Sequence, residues 1–452
     1  MNDRGRVVIV GAGLAGLRAA LELSRRGWRV KLLEKRGRPG GRIRRVGARG
    51  RPEEVDCGQH LMLGCYRHTL ELAELVGTRR QLLPVRGATP FVSQPGRIHP
   101  FRVGRGPAPL HLLPALLGLD HLDWSTRLGM ARAGLAAKLG ARLWPERLDR
   151  LSASAWLRRH GQGRQSRRGL WEPLGLATLN IPLEQASARM FATVLDRSMF
   201  AGRRDITALL PEQLLDDVFV RPALEKVRRQ GGEILCSQRV VRLQHNGRRL
   251  LAVETADGRR HQAEAFVLAA PWYETARLAG QVAALDSLGR QCARLGYSGI
   301  VTVDIWYDRC WLEWSFAGLL HSPLQWVFSH PRQRGLPARV SCVISGAERL
   351  LAWPSQRLVA ECRAELVRHF PAAAAARVVD SLVTRVPLAT IRVTPGSYGN
   401  RPGPATALEN LYLAGDWTAT GLPATMEGAV ASGVQAARML DSRPAGRIAH
   451  VA

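Results

Sequence analysis

Lysine, paired cysteines and long apolar runs are all scarce in this chain of 452 residues. The seven cysteines are scattered and include no C-x-x-C pair, which argues against a disulfide framework and a zinc site and fits a reducing compartment. We therefore predict no metal. No run approaches the roughly 18–20 uninterrupted apolar residues of a spanning helix. The short apolar run at 7–10 leads straight into glycines, unlike a signal peptide.

Basic residues outnumber acidic ones, giving a formal net charge of +28. Nearly all of them are arginines, a bias that favours genome composition over function as its origin. A charge this far from zero favours anionic surfaces. No basic-aromatic stripe predicts nucleic-acid binding, whereas an anionic membrane surface remains open.

The N-terminal segment has the pattern of a dinucleotide-binding unit. Gly11, Gly13 and Gly16 form G-x-G-x-x-G between an apolar strand and a helix, and Ala15 within this motif is also expected to contact the cofactor. Such glycines permit a tight turn, close approach of a pyrophosphate, and helix–strand packing. Glu34 ends the next strand at the spacing of an acid that binds ribose hydroxyls.

A second glycine pair follows at short range, in Gly40-Gly41-Arg42. With the first motif, it resembles the extended signature of FAD-containing amine oxidases and of carotenoid or squalene desaturases. The resemblance implies FAD, with these residues near its pyrophosphate and ring. The C-terminal flavin segment contains no cysteine that could attach FAD covalently, so we expect non-covalent binding. The resemblance also adds to the site Lys35, Gly58 and Val240, the last contacting adenine through its backbone.

The C-terminal segment carries an apolar strand, then Gly415-Asp416, then a helix that begins with small residues. The resemblance implies that Asp416 accepts hydrogen bonds from the ribityl chain. It also implies that the helix around Met426, Gly428 and Ala429 directs its N-terminus at the flavin, where negative charge accumulates on reduction. Both ends of the chain would then hold one cofactor, so the FAD domain must be discontinuous.

We expect an α/β protein with a Rossmann-type FAD domain and a second α+β substrate domain that contains an antiparallel sheet. The predicted FAD domain comprises residues 1–75, 205–280 and 395–440. The predicted substrate domain comprises 76–204 and 281–394, and 441–452 form a tail. Within the substrate domain, the Leu-rich segment 100–145 suits helices around an apolar cavity, helices on a membrane, or ordinary core helices.

A more specific resemblance lies in the segment 54–77. Asp56, Gly58, Gln59, His60 and Tyr66 resemble the D-x-G-Q-H…Y run of the hydroxysqualene dehydroxylases, also described as squalene-associated FAD-dependent desaturases. Segments 171–191 and 415–430 resemble the same family, although Cys57 replaces its usual asparagine. The resemblance implies reductive removal of the hydroxyl of hydroxysqualene to give squalene, in hopanoid biosynthesis. His60 or Tyr66 would protonate the leaving hydroxyl, and Asp56 would orient them.

Three alternatives remain open: a carotenoid or phytoene-type desaturase, a flavin amine oxidase, and a non-catalytic flavin-bound scaffold. The four lysines disfavour the amine oxidase, because none falls in 281–330, where the resemblance would place a flavin-facing lysine. The expected partners are a long apolar isoprenoid, an electron donor of unknown identity, and an anionic membrane surface. The expected location is the cytoplasm, with peripheral attachment to the inner face of the cell membrane. The lysines are Lys31, Lys35, Lys138 and Lys226.

Overall fold

The computed structural model describes residues 4–47, 50, 53–330 and 336–442. The helices are α1 Leu14–Arg25, α2 Arg67–Val76, α3 Leu113–Gly118, α4 Trp124–Leu143, α5 Pro145–Asp149, α6 Ala153–Arg159, α7 Arg164–Ser166, α8 Glu172–Leu179, α9 Ala188–Val194, α10 Arg203–Ile206, α11 Arg221–Arg229, α12 Trp272–Ala279, α13 Asp286–Ala293, α14 Ser355–His369 and α15 Met426–Ser442.

The strands are β1 Arg6–Val10, β2 Arg29–Leu33, β3 Arg45–Gly47, β4 Glu54–Asp56, β5 Met62–Leu63, β6 Leu82–Pro84, β7 Thr89–Ser93, β8 Arg97–Phe101, β9 Ala208–Pro211, β10 Glu233–Leu235, β11 Val240–His245, β12 Leu250–Thr255, β13 Arg260–Gln262, β14 Ala265–Leu268, β15 Tyr297–Tyr307, β16 Phe316–Leu319, β17 Trp326–His330, β18 Ala338–Ser345, β19 Val378–Ile391 and β20 Leu411–Leu413.

A five-stranded parallel sheet in the order β10-β2-β1-β14-β20 joins distant parts of the chain. Its strands are short, rich in Val, Ile and Leu, and buried, as expected when helices cover both faces of a parallel sheet. The doubly wound sheet confirms the predicted α/β fold class.

The helices α1 and α15, from opposite ends of the sequence, pack with their backbones in close contact. A Cβ added at Gly433 of α15 would lie 2.4 Å from the carbonyl oxygen of Ala15 in α1. Helix α1 follows β1 and α15 follows β20, so both helices start at the carboxyl edge of the parallel sheet. Ligands of open α/β sheets bind at this edge.

A seven-stranded sheet in the order β19-β15-β18-β17-β16-β7-β8 forms the second large layer. Its neighbouring strands are antiparallel except for the parallel pair β16–β7. The helix α14 and the apolar face of β15 and β18 form a core of their own. This sheet and the helices around it confirm the predicted α+β component with an antiparallel sheet.

The domain boundaries remain a prediction, although the two large sheets draw on different parts of the chain. The parallel sheet uses residues 6–33, 233–268 and 411–413, and the seven-stranded sheet uses 89–101 and 297–391. Of the predicted tail 441–452, residues 441 and 442 end α15 and the remainder lies outside the described residues. Among the described helices, none has the length and apolarity needed to cross a membrane.

Candidate active site

One cavity of about 510 Å³ runs from the carboxyl edge of the parallel sheet to the underside of the seven-stranded sheet. Its first part, here called the glycine end, is lined by Gly11, Gly13, Ala15, Glu34, Lys35, Gly40, Gly41, Arg42, Val240, Gly415, Asp416, Met426 and Ala429. Its second part, here called the apolar end, includes Phe91, Phe101, Leu174, Phe191, Val194, Phe316, Trp326, Phe328 and Leu388. A single cavity therefore combines two chemically different halves.

Backbone geometry keeps the glycine end open for a phosphate. Gly11 has a φ of +108°, and a Cβ there would lie 2.6 Å from the carbonyl oxygen of Ala269. Gly13 caps α1 in extended conformation, and the nearest atom to an added Cβ is Gly41 Cα at 3.9 Å. A side chain at Gly13 would thus occupy the cavity itself, which is the property of a glycine that admits a bound pyrophosphate.

The buried carboxylate of Glu34 closes the turn after β1. One oxygen accepts the backbone N–H of Ala12 at 3.0 Å, and the other accepts that of Arg36 at 2.9 Å. A carboxylate oxygen has a further lone pair, so Glu34 can still accept ribose hydroxyls. The adjacent Lys35 pairs with Glu274 at 2.9 Å.

Val240 also lines the glycine end, at the start of β11. Its carbonyl oxygen accepts a hydrogen bond of 2.9 Å from Arg277. The predicted backbone contact with adenine would therefore share this oxygen with Arg277 or use the Val240 N–H.

An ion pair joins the two distant glycine motifs. Arg42 donates to the buried Asp416 at 2.6 Å and to the carbonyl oxygen of Ala389, also at 2.6 Å. Burial opposes the charge of Arg42, but the neighbouring Asp416 outweighs burial and raises the Arg42 pKa. The fold thus brings together the predicted residues Arg42 and Asp416, which are 374 positions apart.

The first turn of α15 completes the glycine end. Met426 and Ala429 line the cavity, and the Ser432 hydroxyl accepts the backbone N–H of Gly415 at 2.8 Å. Glu427 points away and accepts the backbone N–H groups of His68 and Thr69 at 3.0 and 2.9 Å, capping α2. The positive end of the α15 dipole therefore faces the cavity, and the carboxylate of Glu427 stabilises the start of α2.

Two of the predicted glycines serve packing instead of lining the cavity. A Cβ at Gly16 would lie 1.9 Å from the carbonyl oxygen of Gly11, which matches the packing role expected of the third glycine. A Cβ at Gly428 would lie 2.6 Å from the carbonyl oxygen of Pro423. Gly428 therefore shapes the start of α15 without lining the cavity.

The segment 57–66 places two candidate acid–base groups where the two ends of the cavity meet. Gly58, Gln59, His60 and Tyr66 all line it. His60 Nδ1 lies 2.6 Å from the carbonyl oxygen of Gly58 and so carries the proton, which leaves Nε2 as an acceptor. Burial lowers the pKa of His60, and Arg42 lowers it further.

Tyr66 occupies the position just before α2, and its side chain lines the cavity. Burial raises the pKa of its phenol well above the usual value, and the neighbouring Cys65 and Glu427 add to the effect. The hydroxyl therefore stays protonated and can donate a hydrogen bond.

Asp56 lies in a different environment from the one expected of a residue that orients His60 or Tyr66. Both of its carboxylate oxygens contact the backbone N–H of Leu215, at 3.1 and 3.2 Å. His60 is oriented instead by Gly58. Burial raises the Asp56 pKa to about 7, in spite of the N–H of Leu215 and the charges of Arg339 and Arg45, which lower it. Asp56 thus anchors β4 to residues 214–220.

Arg401 and Thr302 also shape the site, although neither belongs to a recognisable sequence motif. The buried Arg401 donates to the carbonyl oxygens of Asp416 and Leu422, both at 2.7 Å, and thereby holds the loop after β20. Burial lowers its pKa to about 10. Thr302 of β15 lines the cavity with a buried hydroxyl that has no partner among the described residues. An arginine or threonine in these contexts has no diagnostic spacing.

A polar channel of dinucleotide character that opens into an apolar chamber defines the class of protein, a flavin-dependent oxidoreductase. The chain belongs to the family of flavin containing amine oxidoreductases, which it matches over residues 14–440. It binds FAD, and the glycine end fits this cofactor, because an added side chain at Gly13 would fill the space that a pyrophosphate needs.

Individual relatives agree with this assignment. A hydroxysqualene dehydroxylase of Rhodopseudomonas palustris is 29% identical, with 96% of this chain and 98% of that protein covered. The zeta-carotene desaturase of Arabidopsis thaliana is 26% identical, with 95% and 84% covered. A putrescine oxidase variant shares the fold with a TM-score of 0.76 at 16% identity, with 97% and 99% covered.

Proposed function

We propose that this protein removes the hydroxyl of hydroxysqualene with reduced FAD, giving squalene for hopanoid biosynthesis. The single observation that carries the proposal is the apolar end of the cavity, which adjoins the flavin site and is walled by aromatic and aliphatic side chains. A C30 hydrocarbon has to be bound through its apolar area, at about 25 cal/mol per Å². The 29% identical relative is named for this reaction.

The reaction replaces a carbon–oxygen bond with a carbon–hydrogen bond and releases water. Reduced FAD would supply the hydride, and the protein has to supply a proton to the leaving oxygen. Of the two predicted acids, Tyr66 carries the proton that faces the cavity, because Nε2 of His60 is an acceptor. Burial raises the pKa of Tyr66 and makes the phenol a weak acid, so its proton would pass to the oxygen only as the carbon–oxygen bond breaks. His60 is neutral, and its Nε2 is an acceptor that can orient the substrate hydroxyl or a water.

The hydroxyl of Thr302 extends this polar group. A Cβ placed on Gly58 would lie 3.7 Å from Thr302 Oγ1 and 3.9 Å from His60 Cε1, so both side chains flank Gly58. The buried Thr302 hydroxyl can donate to an oxygen bound between them. These groups, in an otherwise apolar chamber, would position the alcohol end of the substrate.

A carotenoid-type desaturase is the second candidate, favoured by the zeta-carotene desaturase relative and by the same apolar chamber. The two reactions differ in the direction of electron flow. Incubating the reduced protein with hydroxysqualene should give squalene by mass spectrometry, whereas the oxidised protein should leave squalene and phytoene unchanged. Desaturated products from phytoene, with hydroxysqualene untouched, would establish the second candidate instead.

Helix α4 has an exposed apolar face that suits contact with a bilayer, the phase that holds such a substrate. Its exposed face carries Trp124, Leu128, Leu135 and Leu139, with Leu128 66% exposed. The buried face consists largely of small residues, namely Ala133, Gly134, Ala137 and Gly140. Gly134 faces Phe200, whose ring would clash with an added Cβ at 1.9 Å. A helix with leucines outside and small residues inside fits an apolar phase outside the protein.

We propose that this face docks on an anionic bilayer. The helix contains no Asp or Glu, and it carries Arg127, Arg132, Lys138 and Arg142. Leu110, Leu113 and Leu117 extend the exposed apolar surface into the preceding segment. The segment 100–145 thus contributes little to the cavity, through Phe101 and Val103, and mainly presents leucines outward.

Sedimentation with anionic liposomes at low salt tests the docking proposal. The wild type should pellet with the liposomes, and the double variant Leu128→Ser, Leu135→Ser should remain in the supernatant. Leu251→Ser, which changes an exposed leucine of β12, is the matched control and should pellet like the wild type. Pelleting by the double variant, or failure of the wild type to pellet, would contradict the proposal.

A further inference from the structure

A cluster of two histidines and a carboxylate lies in the part of the structure that contains the β7–β8 hairpin and the turn before α4. One ring nitrogen each from His99 and His121 and one oxygen of Asp120 all lie within 4.8 Å of one another. The two imidazole rings are 4.3 Å apart between centroids. The sequence places His99 more than 20 residues from the other two, so no short ligand spacing predicts the cluster.

The second ring nitrogen of each histidine already has a hydrogen-bond partner. Nε2 of His99 lies 2.8 Å from the hydroxyl of Ser93, and Nε2 of His121 lies 3.2 Å from the carbonyl oxygen of Gly169. The contact with Gly169 fixes the proton of His121 on Nε2, so Nδ1 carries a lone pair. Metal-binding histidines commonly donate their other N–H to such partners.

The nitrogen left over on His121 is buried and lacks a partner among the described residues. Since Nε2 faces the Gly169 carbonyl oxygen, this nitrogen presents the free lone pair that a metal ligand must have. On the other side, His99 Nδ1 lies 2.5 Å from Asp120 Oδ1. A metal ion that replaces the proton between His99 Nδ1 and Asp120 Oδ1 would bind these two atoms and Nδ1 of His121.

We propose that His99, Asp120 and His121 bind a divalent transition-metal ion of the Zn²⁺ type. Two imidazoles, one carboxylate and a water form a common ligand set for such an ion. Tetrahedral bonds of about 2.0–2.1 Å require ligand atoms about 3.4 Å apart. His99 Nδ1 and Asp120 Oδ1, now 2.5 Å apart, would therefore separate by about 1 Å, and the His121 nitrogen would approach them from within 4.8 Å. Asp120 and His121 lie in the turn between α3 and α4, which can supply this movement.

The position of the site gives it a structural role. His99 lies in β8, and Phe101 of the same strand lines the apolar end of the cavity. Asp120 and His121 directly precede α4, the helix with the exposed leucines. The bound ion would tie the wall of the cavity to the base of this helix. This role does not depend on the identity of the substrate.

Calorimetric titration of the flavin-loaded full-length protein with Zn²⁺, after chelator treatment and dialysis, tests the proposal. The wild type should bind one strong equivalent, and His99→Ala, Asp120→Asn and His121→Ala should each weaken binding by about 100-fold. His160→Ala, which changes a histidine outside the cluster, should bind like the wild type.

X-ray absorption of the zinc-loaded protein provides a second measurement. It should show nitrogen and oxygen ligands at about 2.0–2.1 Å, without the sulfur shell near 2.3 Å that cysteine binding would give. A sulfur shell, no strong equivalent in the wild type, or undiminished affinity in a folded His99→Ala, His121→Ala double variant would each overturn the proposal. Retained flavin absorbance shows that the variants are folded.

Discussion

The two ends of the cavity hold their ligands in opposite ways. The glycine end is made of backbone and charge: turns without side chains, the Arg42–Asp416 pair and the buried Glu34. The apolar end is made of side chains: aromatic rings and branched aliphatic groups from α8, α9 and the seven-stranded sheet. One end therefore fits a charged cofactor, and the other fits the proposed hydrocarbon substrate, from which it would exclude water.

This contrast predicts separable effects. A substitution that fills the glycine end should remove the cofactor without unfolding the apolar end. A charge placed in the apolar end should abolish turnover without removing the cofactor. Groups at the junction should affect chemistry alone, and buried groups outside the cavity should affect stability alone.

The largest effect is expected from Gly13→Val. The added side chain enters the cavity, where its nearest neighbour is 3.9 Å from the Cβ position, so the apoprotein should fold normally. FAD affinity should fall by at least about 100-fold, because a pyrophosphate can no longer approach the backbone. Flavin absorbance and circular dichroism measure the two properties.

Gly37→Ala is the control for this variant, since an added Cβ there meets no atom within 4 Å. It should retain FAD. A yellow Gly13→Val protein with wild-type affinity would show that the glycine end is not the pyrophosphate site.

The converse experiment is Val194→Glu, in the apolar end. Burying an uncompensated carboxylate there costs several kcal/mol and competes with the hydrocarbon. We expect kcat/KM for hydroxysqualene to fall by at least about 100-fold, which steady-state product analysis would measure, with unchanged flavin content. Val194→Leu should stay within a few-fold of the wild type. Loss of FAD from Val194→Glu would contradict the separation of the two ends.

At the junction, Tyr66→Phe should lower turnover by about 100-fold or more while FAD stays bound. The raised pKa keeps the Tyr66 phenol protonated, so its ionisation should not reduce the rate as pH rises through 7 to 9. His60→Gln should have a smaller effect, because glutamine can still accept a hydrogen bond. Single-turnover rates distinguish these outcomes, and Tyr297→Phe, on an exposed tyrosine of β15, is the control. Full turnover by Tyr66→Phe would remove Tyr66 from the mechanism.

The smallest effect is expected from a substitution of Asp56, which does not line either end of the cavity. Its folded-state pKa is raised to about 7 from the ordinary 3.8, so it favours folding fully below about pH 4, and this contribution is lost as pH rises through 7. Asp56→Asn should therefore gain on the order of 1 kcal/mol in the free energy of unfolding at pH 8 relative to the wild type.

Urea unfolding at pH 5 and pH 8 measures this difference. The gain should be smaller at pH 5, where the wild-type carboxyl is largely protonated. Asp286→Asn, in an exposed i, i+4 pair with Arg290, should not reproduce the pH dependence. An Asp56→Asn protein that is equally destabilised at both pH values would contradict the raised pKa.

The same contrast explains what could be predicted from the sequence. Gly11, Gly13 and Glu34 lie within one βαβ unit, and Gly415-Asp416 directly follows a strand, so short-range spacing indicates the glycine end. The packing role of Gly16 was also predictable, since the third glycine of the motif has that role.

The apolar end could not be predicted in this way. Phe91, Val194 and Phe328 meet through packing of segments that are far apart in sequence, and ordinary apolar residues have no diagnostic spacing. The hydrogen bonds of Arg401 and the capping of α2 by Glu427 could not be predicted either, because they join residues that are far apart in sequence. The segment 100–145 left three alternatives open, and only the fold shows the leucines of α4 facing outward.

The most direct test of one continuous cavity is an anaerobic single-turnover experiment with the purified protein, reduced to the colourless flavin state and mixed with hydroxysqualene. The yellow absorbance should return at the rate at which squalene forms, one squalene per flavin, and Val194→Glu should slow both together. Squalene formation without any change in flavin absorbance, or a flavin that stays reduced while hydroxysqualene persists, would contradict the account.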